Sequence, residues 1–404
     1  MSQGMLSFEE ALAQLLLGAK PITAIEHVDT LFACGRVLAA HQRSAINVPP
    51  LDNTSMDGYA LRSADVPAAG TRLPVSQRIP AGTVGAPLKP GTAARIFTGA
   101  PVPAGADAVV MQELCEHAAG EDNAVVINHV PKAGEWVRRV GEDIRAGAEI
   151  LAAGTRLRPQ EVGLAASVGL AQLPVFRRLR VAVLFTGDEL VMPGETLPDG
   201  AIYNSNRYTL RGLLEQLGCE VQDFGIVPDQ LDATRAVLRR AAETADLIIT
   251  SGGVSVGEED HVKPAVQAEG ELNLWKIAIK PGKPLAFGRV GKSAFIGLPG
   301  NPVSGFVTFL MLVRPFILAA QGAHLAAPRG VMLRADFDWP KPDPRREFLR
   351  ARINAEGGLD NYPNQSSAVL TSTVWADGLI DNPPGHAITR GDAVWFLPFA
   401  ELLY

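Results

Sequence analysis

"DLIITSGGVSVGEEDHVKPAVQAEG", Asp246 to Gly270, decides the fold. "DLIIT" is a short apolar run without polar alternation, as a strand covered on both faces requires. A glycine-and-serine turn follows, and then a segment that reads as a helix. Such a turn presents backbone N–H groups to phosphate at a helix start. Yet Glu258, Glu259 and Asp260 come directly after it, and carboxylates repel phosphate.

The same pattern repeats to either side. "LRVAVLF" from Leu179 is a continuous apolar strand, and "NSNRYTLRGLLEQLG" from Asn204 is a capped helix ending at a glycine. "CEVQDFGIV" is a strand, "DQLDATRAVLRRAAETA" a helix, "AFIGL" a strand, and another helix follows "PGNP". Alternation of this kind predicts an open, mostly parallel α/β sheet with helices on both faces, over 179–328. Ligands of such sheets sit beyond the carboxyl ends of the strands. Three polar, glycine-bearing segments fall there: "TGDEL", "TSGGVSVGEED" and "PGNPVS". Glu189 and Asp260 lie on two of them. A hard divalent cation such as Mg²⁺ would reconcile these acids with a phosphate cradle. For Asp260, the alternative is charge complementing the next helix start. Three of the chain's lysines, Lys276, Lys280 and Lys283, crowd into "LWKIAIKPGKPLAFG", where alternation puts Lys276 and Lys280 on one strand face. That suits an oxyanion site, or a solvated edge strand guarded by lysines.

The remaining chain has other textures. From about Asn47 to Ile150 the chain is rich in Pro, Gly and Val, with runs such as "ADAVVMQE" and "AVVINHV", and predicts a β-rich module with tight turns. A short amphipathic helix with Ser7 as a cap precedes this module, and a helical link at "RPQEVGLAASVGL" follows it. Residues 329–404 return to short strands, a small β domain. The first twenty residues lack a basic start, and Glu9 and Glu10 interrupt their apolar part, so no export signal is expected. The most apolar run, "GFVTFLMLVRPFILAAQ", is expected to be broken by Arg314-Pro315 below membrane-spanning length, as a buried helix. A net charge of −6 argues against a general nucleic-acid binder. Three cysteines without paired spacing argue against a disulfide framework or thiolate zinc site, and fit a reducing cytoplasm.

One ordered set of motifs carries a resemblance. "PPLDNTSMDGYA", "FTGAPVPAGADAVV", "GEDI", "TGDEL", "YNSN", "TSGGVSVGEEDH", "IKPGKPLAFG" and "GLPGNPVSGF" run across nearly the whole chain. Together they resemble the molybdopterin molybdenumtransferases, which are similar to the E domain of gephyrin. The resemblance implies a subunit of four parts: a linking domain over 1–46 and 146–178, an inserted β domain over 47–145, a pterin-binding sheet domain over 179–328 and a C-terminal β-barrel over 329–404. It also implies a homodimer whose active clefts are shared between subunits. The implied substrates are adenylylated molybdopterin and molybdate, the products AMP and molybdenum cofactor, and the cofactor Mg²⁺. Transient contact with the molybdopterin adenylyltransferase is implied as well. Carried over residue by residue, the catalytic set is Asp57, Thr98, Asp143, Glu189, Asp229, Asp260, Lys276 and Lys280, with Mg²⁺ on Glu189 and Asp260. Phosphate and substrate fall to Thr186, Gly187, Ser251, Gly252, Gly253, Ser255, Pro299, Gly300, Asn301 and Ser304. Molybdate falls to Lys280, Lys283, Arg350 and Ser367. Here "NQSSAVL" departs from the family by placing Ser366 where glycine is usual. Two rivals are an adenylyltransferase, which would lack the extra β domains, and a gephyrin-like scaffold, which would not need the charged set.

Overall fold

A computed structural model describes residues 5–118, 123–253, 261–325 and 327–403. Ser255, Asp260 and the glutamates before it lie outside the described residues. The chain divides into two compact units. One comprises Met1–Ala40, Gly154–Arg158 and Gln172–Tyr404, the other His41–Ala153 and Pro159–Ala171.

The larger unit is organised by a six-stranded sheet: β1 (Arg180–Thr186), β2 (Glu220–Val227), β3 (Leu247–Ser251), β4 (Gly270–Lys276), β5 (Pro284–Val290) and β6 (Ser293–Leu298). Their spatial order is β2-β1-β3-β6-β5-β4. The β1–β2, β1–β3 and β3–β6 pairs are parallel, and β5 runs antiparallel to both of its neighbours, β6 and β4. The helices are α1 (Ser205–Gln216), α2 (Leu231–Thr244), α3 (Val262–Glu269), α4 (Pro302–Thr308) and α5 (Arg314–Ala320). Alternation within the strands feeds two cores. Val181, Val183, Phe185 and Ile249 pack on one face with Leu210 and Leu214 of α1 and the α4–α5 residues. Ala182, Leu184 and Ile248 pack on the other with Leu238 of α2 and Val262 and Val266 of α3. The unbroken apolar strands therefore mean what the sequence suggested: both faces are covered.

The apolar run at 305–321 is not broken. Pro302–Ala320 is one helical stretch, long and apolar enough to cross a membrane, but most of it is buried among the other elements. Between α4 and α5 it passes through a π-helical turn, Phe309–Val313. This turn explains the departure from expectation. Proline breaks an α-helix because it lacks an N–H and its ring meets the carbonyl four residues back. The wider π turn immediately before Arg314-Pro315 moves that carbonyl aside, so the helix continues.

The N-terminal helix (Phe8–Gly18) has the expected Ser7 cap, completed as a capping box with Glu10. After α5 the chain builds a second six-stranded sheet. Its order is Ile279–Lys280, Arg346–Ile353, Gly378–Asn382, Ala393–Pro398 and Val331–Arg334, with Leu359–Asn361 also on Arg346–Ile353. An isolated bridge joins Ala335 to Leu359. The lysine-rich turn after β4 thus supplies this sheet with a strand of its own.

The smaller unit is β-rich, as its turn-dense composition predicts. Six strands run in the order Ala108–Met111, Gly58–Leu61, Ala93–Ile96, Thr71–Ile79, Ala124–Ile127 and Cys115–His117. Apolar clusters occupy both faces. Its helix, Pro159–Ser167, falls where the sequence places one.

Candidate functional site

In the larger unit, β2 and β3 flank β1, so chain order reverses direction at the carboxyl ends of β1 and β3. A cleft of about 740 Å³ opens there. Thr186, Glu189, Ser251, Gly252, Gly253, Pro299, Gly300, Asn301 and Ser304 all line it, which gathers all three glycine-bearing loops into one site. Gly187 is in the same β1 turn, with φ +143. Gly252 and Gly253 have φ +93 and +65, a conformation that turns successive N–H groups without a side chain in the way.

Asn206 holds two of the loops together. Its Nδ2 donates to Ser251 Oγ at 2.8 Å and to the Gly300 carbonyl at 2.7 Å. The Ser251 hydroxyl in turn donates to the Pro299 carbonyl at 3.3 Å. Ser251 is 4% exposed, so its hydroxyl works as a clamp between loops. The third loop is tied in by a two-stranded parallel ribbon, Leu190–Val191 with Ile202–Tyr203. There Ile202 N–H donates to the Glu189 carbonyl at 2.7 Å and Asn204 N–H to Val191 at 3.0 Å. Asn204, Ser205 and Asn206 also line the cleft. The sequence drew attention to "YNSN" as a motif and a cap, but a cap explains asparagine before a helix well enough to hide a second role.

Asp188 and Glu189 are exposed at the rim. The Asp229 N–H reaches Asp188 Oδ1 at 3.4 Å, which draws the β1 and β2 ends together. Carboxylate oxygens of this kind suit Mg²⁺, whose shell is usually completed by water and substrate phosphate rather than by a protein cage. Among the described residues, no group of three or more His, Cys, Asp or Glu that could hold a metal is found.

The C-terminal sheet carries the cations. Lys280 Nζ lies 3.2 Å from Glu347 and 3.4 Å from Asp343. Glu347 is fully buried and also accepts from Trp339 at 2.9 Å. Hydrogen bonds from Arg345 hold Asp343 far below the usual carboxylate range. Lys280 is therefore pinned and largely neutralised by its neighbours. Arg350 is different. It is 1% exposed, and its guanidinium donates to Ser372 Oγ, Phe348 O and Ser366 O at 3.1–3.3 Å, all uncharged acceptors. Burial pulls it down to about 10. A buried cation bonded only to neutral groups leaves a positive field unspent. Lys276 and Lys283 are exposed, Lys276 at the end of β4. The Ser367 carbonyl receives Val303 N–H at 3.0 Å, which ties its loop to the start of α4. Ala368 and Leu370 of that loop, with Pro284, complete the cleft wall. Ser366 contributes its carbonyl to Arg350.

In the smaller unit, Gly58 pairs antiparallel with Ile96, and this register brings the preceding Asp57 to the following Thr98. Thr98 donates to Asp57 Oδ1 from N–H at 2.8 Å and from Oγ1 at 2.7 Å. Those bonds hold the half-buried Asp57 carboxyl below its ordinary range. Asp143 is exposed, with its N–H bonded to the Val48 carbonyl at 3.0 Å.

Residues 6–169 match the MoeA N-terminal region (domain I and II), 182–319 the probable molybdopterin binding domain, and 332–399 the MoeA C-terminal region (domain IV). The chain is 40% identical to the molybdopterin molybdenumtransferase of Haemophilus influenzae, covering 99% of this chain and 100% of that protein. It is 42% identical to that of a Nostoc species, covering 92% and 88%. A solved molybdopterin biosynthesis moeA protein from Pyrococcus horikoshii aligns with a TM-score of 0.83 at 28% identity, covering 98% of this chain and all of that one.

Proposed function

The chain belongs to the molybdopterin molybdenumtransferase family, and from that premise we propose that its cleft transfers molybdenum from molybdate to adenylylated molybdopterin, releasing AMP. The observation that carries this reading is the joining of three glycine-bearing loops at the sheet's switch point, with Asn206 bonded to two of them. Such a surface suits a charged phosphoanhydride: fixed backbone dipoles meet the oxygens with little reorganisation as negative charge develops.

Gly253 and the loop Pro299–Asn301 would orient the phosphoryl groups through main-chain N–H groups, except at proline, while Gly252, whose own N–H is donated to the Leu298 carbonyl at 3.2 Å, would shape the turn. Glu189, and Asp260 from outside the described residues, would hold Mg²⁺, which when bound neutralises charge on the anhydride. Arg350 would supply the buried positive charge for molybdate, with Lys280, Lys283 and Ser367 around it, as a dianion requires. Lys276 and Asp229 would border the pterin or nucleotide. We further read the subunit in the family's parts: linking segments 1–46 and 146–178, inserted domain 47–145, pterin domain 179–328 and C-terminal domain 329–404. The bridge from Ala335 to Leu359 supports a barrel-like closure of the last. In a cytoplasmic homodimer, Asp57, Thr98 and Asp143 would enter the partner's cleft, and substrate would arrive by transient contact with the adenylyltransferase.

The test is direct. Purified chain with Mg²⁺ and adenylylated molybdopterin is expected to release AMP only when molybdate is added. AMP release that ignores molybdate would overturn the reading.

A further inference from the structure

"YNSN" contributes more to the cleft than a loop tie. Asn204 caps α1 by accepting Arg207 N–H on Oδ1 at 3.1 Å. Its own N–H goes to Val191. One group is left over: Asn204 is 2% exposed, and its buried Nδ2 has no hydrogen-bond partner. An unpaired buried donor is destabilising, and a bound acceptor would relieve that cost. This donor belongs to a residue lining the cleft, at the start of a twelve-residue helix with no acidic residue in its first turn. Arg207 in that turn is engaged by Asp223 at 2.7 Å and offers the cleft no free charge. Ser205 and Asn206, whose N–H groups are the first of the helix and have no carbonyl to pair with inside it, line the cleft as well.

We propose that the start of α1 is a phosphoryl-binding subsite, with the Asn204 side-chain amide and the first N–H groups of the helix as its donors. The assignment rests on the phosphoanhydride reading of the cleft and adds a second cradle to it. The substrate carries two linked phosphoryl groups. The loops at Gly252 and Gly300 would take one, and the α1 start the other. Asn206, bonded to Ser251 and Gly300, fixes the separation between the two cradles.

Capping and ligand binding can be separated because they use opposite ends of one amide. Asn204→Asp keeps a side-chain oxygen for Arg207 N–H, and aspartate is as good a cap as asparagine. Its charge also favours the helix N-terminus. The same change replaces the free donor with an anionic oxygen. Asn204→Ser keeps a cap and replaces the amide donor with a shorter hydroxyl without adding charge.

Titration calorimetry of the full chain with inorganic pyrophosphate and Mg²⁺ reads the subsite, and thermal unfolding reads the cap. Asn204→Asp is expected to unfold at or above the wild-type temperature and to bind pyrophosphate at least about tenfold more weakly. Asn204→Ser is expected to keep its stability and weaken binding less. Unchanged affinity in Asn204→Asp would overturn the proposal. So would the absence of pyrophosphate binding by the wild type, or a loss of stability in both variants, which would make the amide a structural support. If binding depends on Asn204 but molybdate-dependent AMP release is absent, the subsite stands and the transferase reading falls. The opposite pattern separates them the other way.

Discussion

Gly253 shows how little latitude the phosphate turn has. At φ +65, a side chain is strained in any surroundings, and here a Cβ would stand 2.4 Å from Val262 Cγ2 and 2.7 Å from Thr186 Oγ1. Gly253→Ala is therefore expected to cost about 2 kcal/mol or more, from left-handed backbone strain plus displacement of α3. Urea unfolding measures that cost, and wild-type stability in the variant would refute it. At this scale the sequence revealed residue types better than partners. Glycines in the three loops were legible because nothing but a turn explains them. The pinning of Lys280 between Asp343 and Glu347 was not, since those acids are more than sixty residues away along the chain. Nor was the isolation of Arg350 among neutral acceptors, because a sequence does not show which charges are missing nearby.

At the scale of elements, Asp246 anchors the amino end of β3. It accepts from Arg177 at 2.7 and 2.8 Å and from Arg180 N–H at 2.9 Å. Burial pushes its carboxyl upward, but those bonds outweigh burial and hold it below its ordinary 3.8. A depressed carboxylate stabilises the fold above the unfolded value, and that contribution is lost as pH falls from about 4 through the lowered value. Asp246→Asn is expected to cost about 2 kcal/mol at neutral pH and to flatten the acid limb of the stability profile. Denaturant titrations across pH 2–7 decide it, and an unchanged acid limb would count against the argument. The strand and helix order was legible because burial on two faces imposes an apolar run, and burial on one stripe imposes a helical period. The uninterrupted helix at Pro302–Ala320 was not, because a π turn is a tertiary accommodation with no composition of its own.

Across the whole molecule, Asp57 and Glu189 fall in different compact units. If the active cleft combines them from two subunits, inactive Asp57→Ala and Glu189→Ala chains should rescue each other. Random mixing gives half heterodimers with one intact cleft each, so about a quarter of wild-type molybdate-dependent AMP release is expected. Recovery no greater than either parent would place both residues in one subunit's site instead. Asp57 and Thr98 were singled out only through resemblance to a family, since neither spacing nor composition marks a polar pair in a turn-rich β domain. Strand register then brings them to 2.7 Å.

By itself, the sequence determined the alternating sheet, the three loops at its carboxyl edge and the two-sided burial of its strands. Those features are local or periodic, and a chain writes them residue by residue. Tertiary structure alone decided that Asn206 binds two loops, that Asn204, a residue lining the cleft, keeps a buried unpaired donor, and that Arg350 is buried with uncharged acceptors. Each depends on which groups meet, or fail to meet, across long stretches of chain, and hydrogen-bond satisfaction is a property of that meeting rather than of any residue.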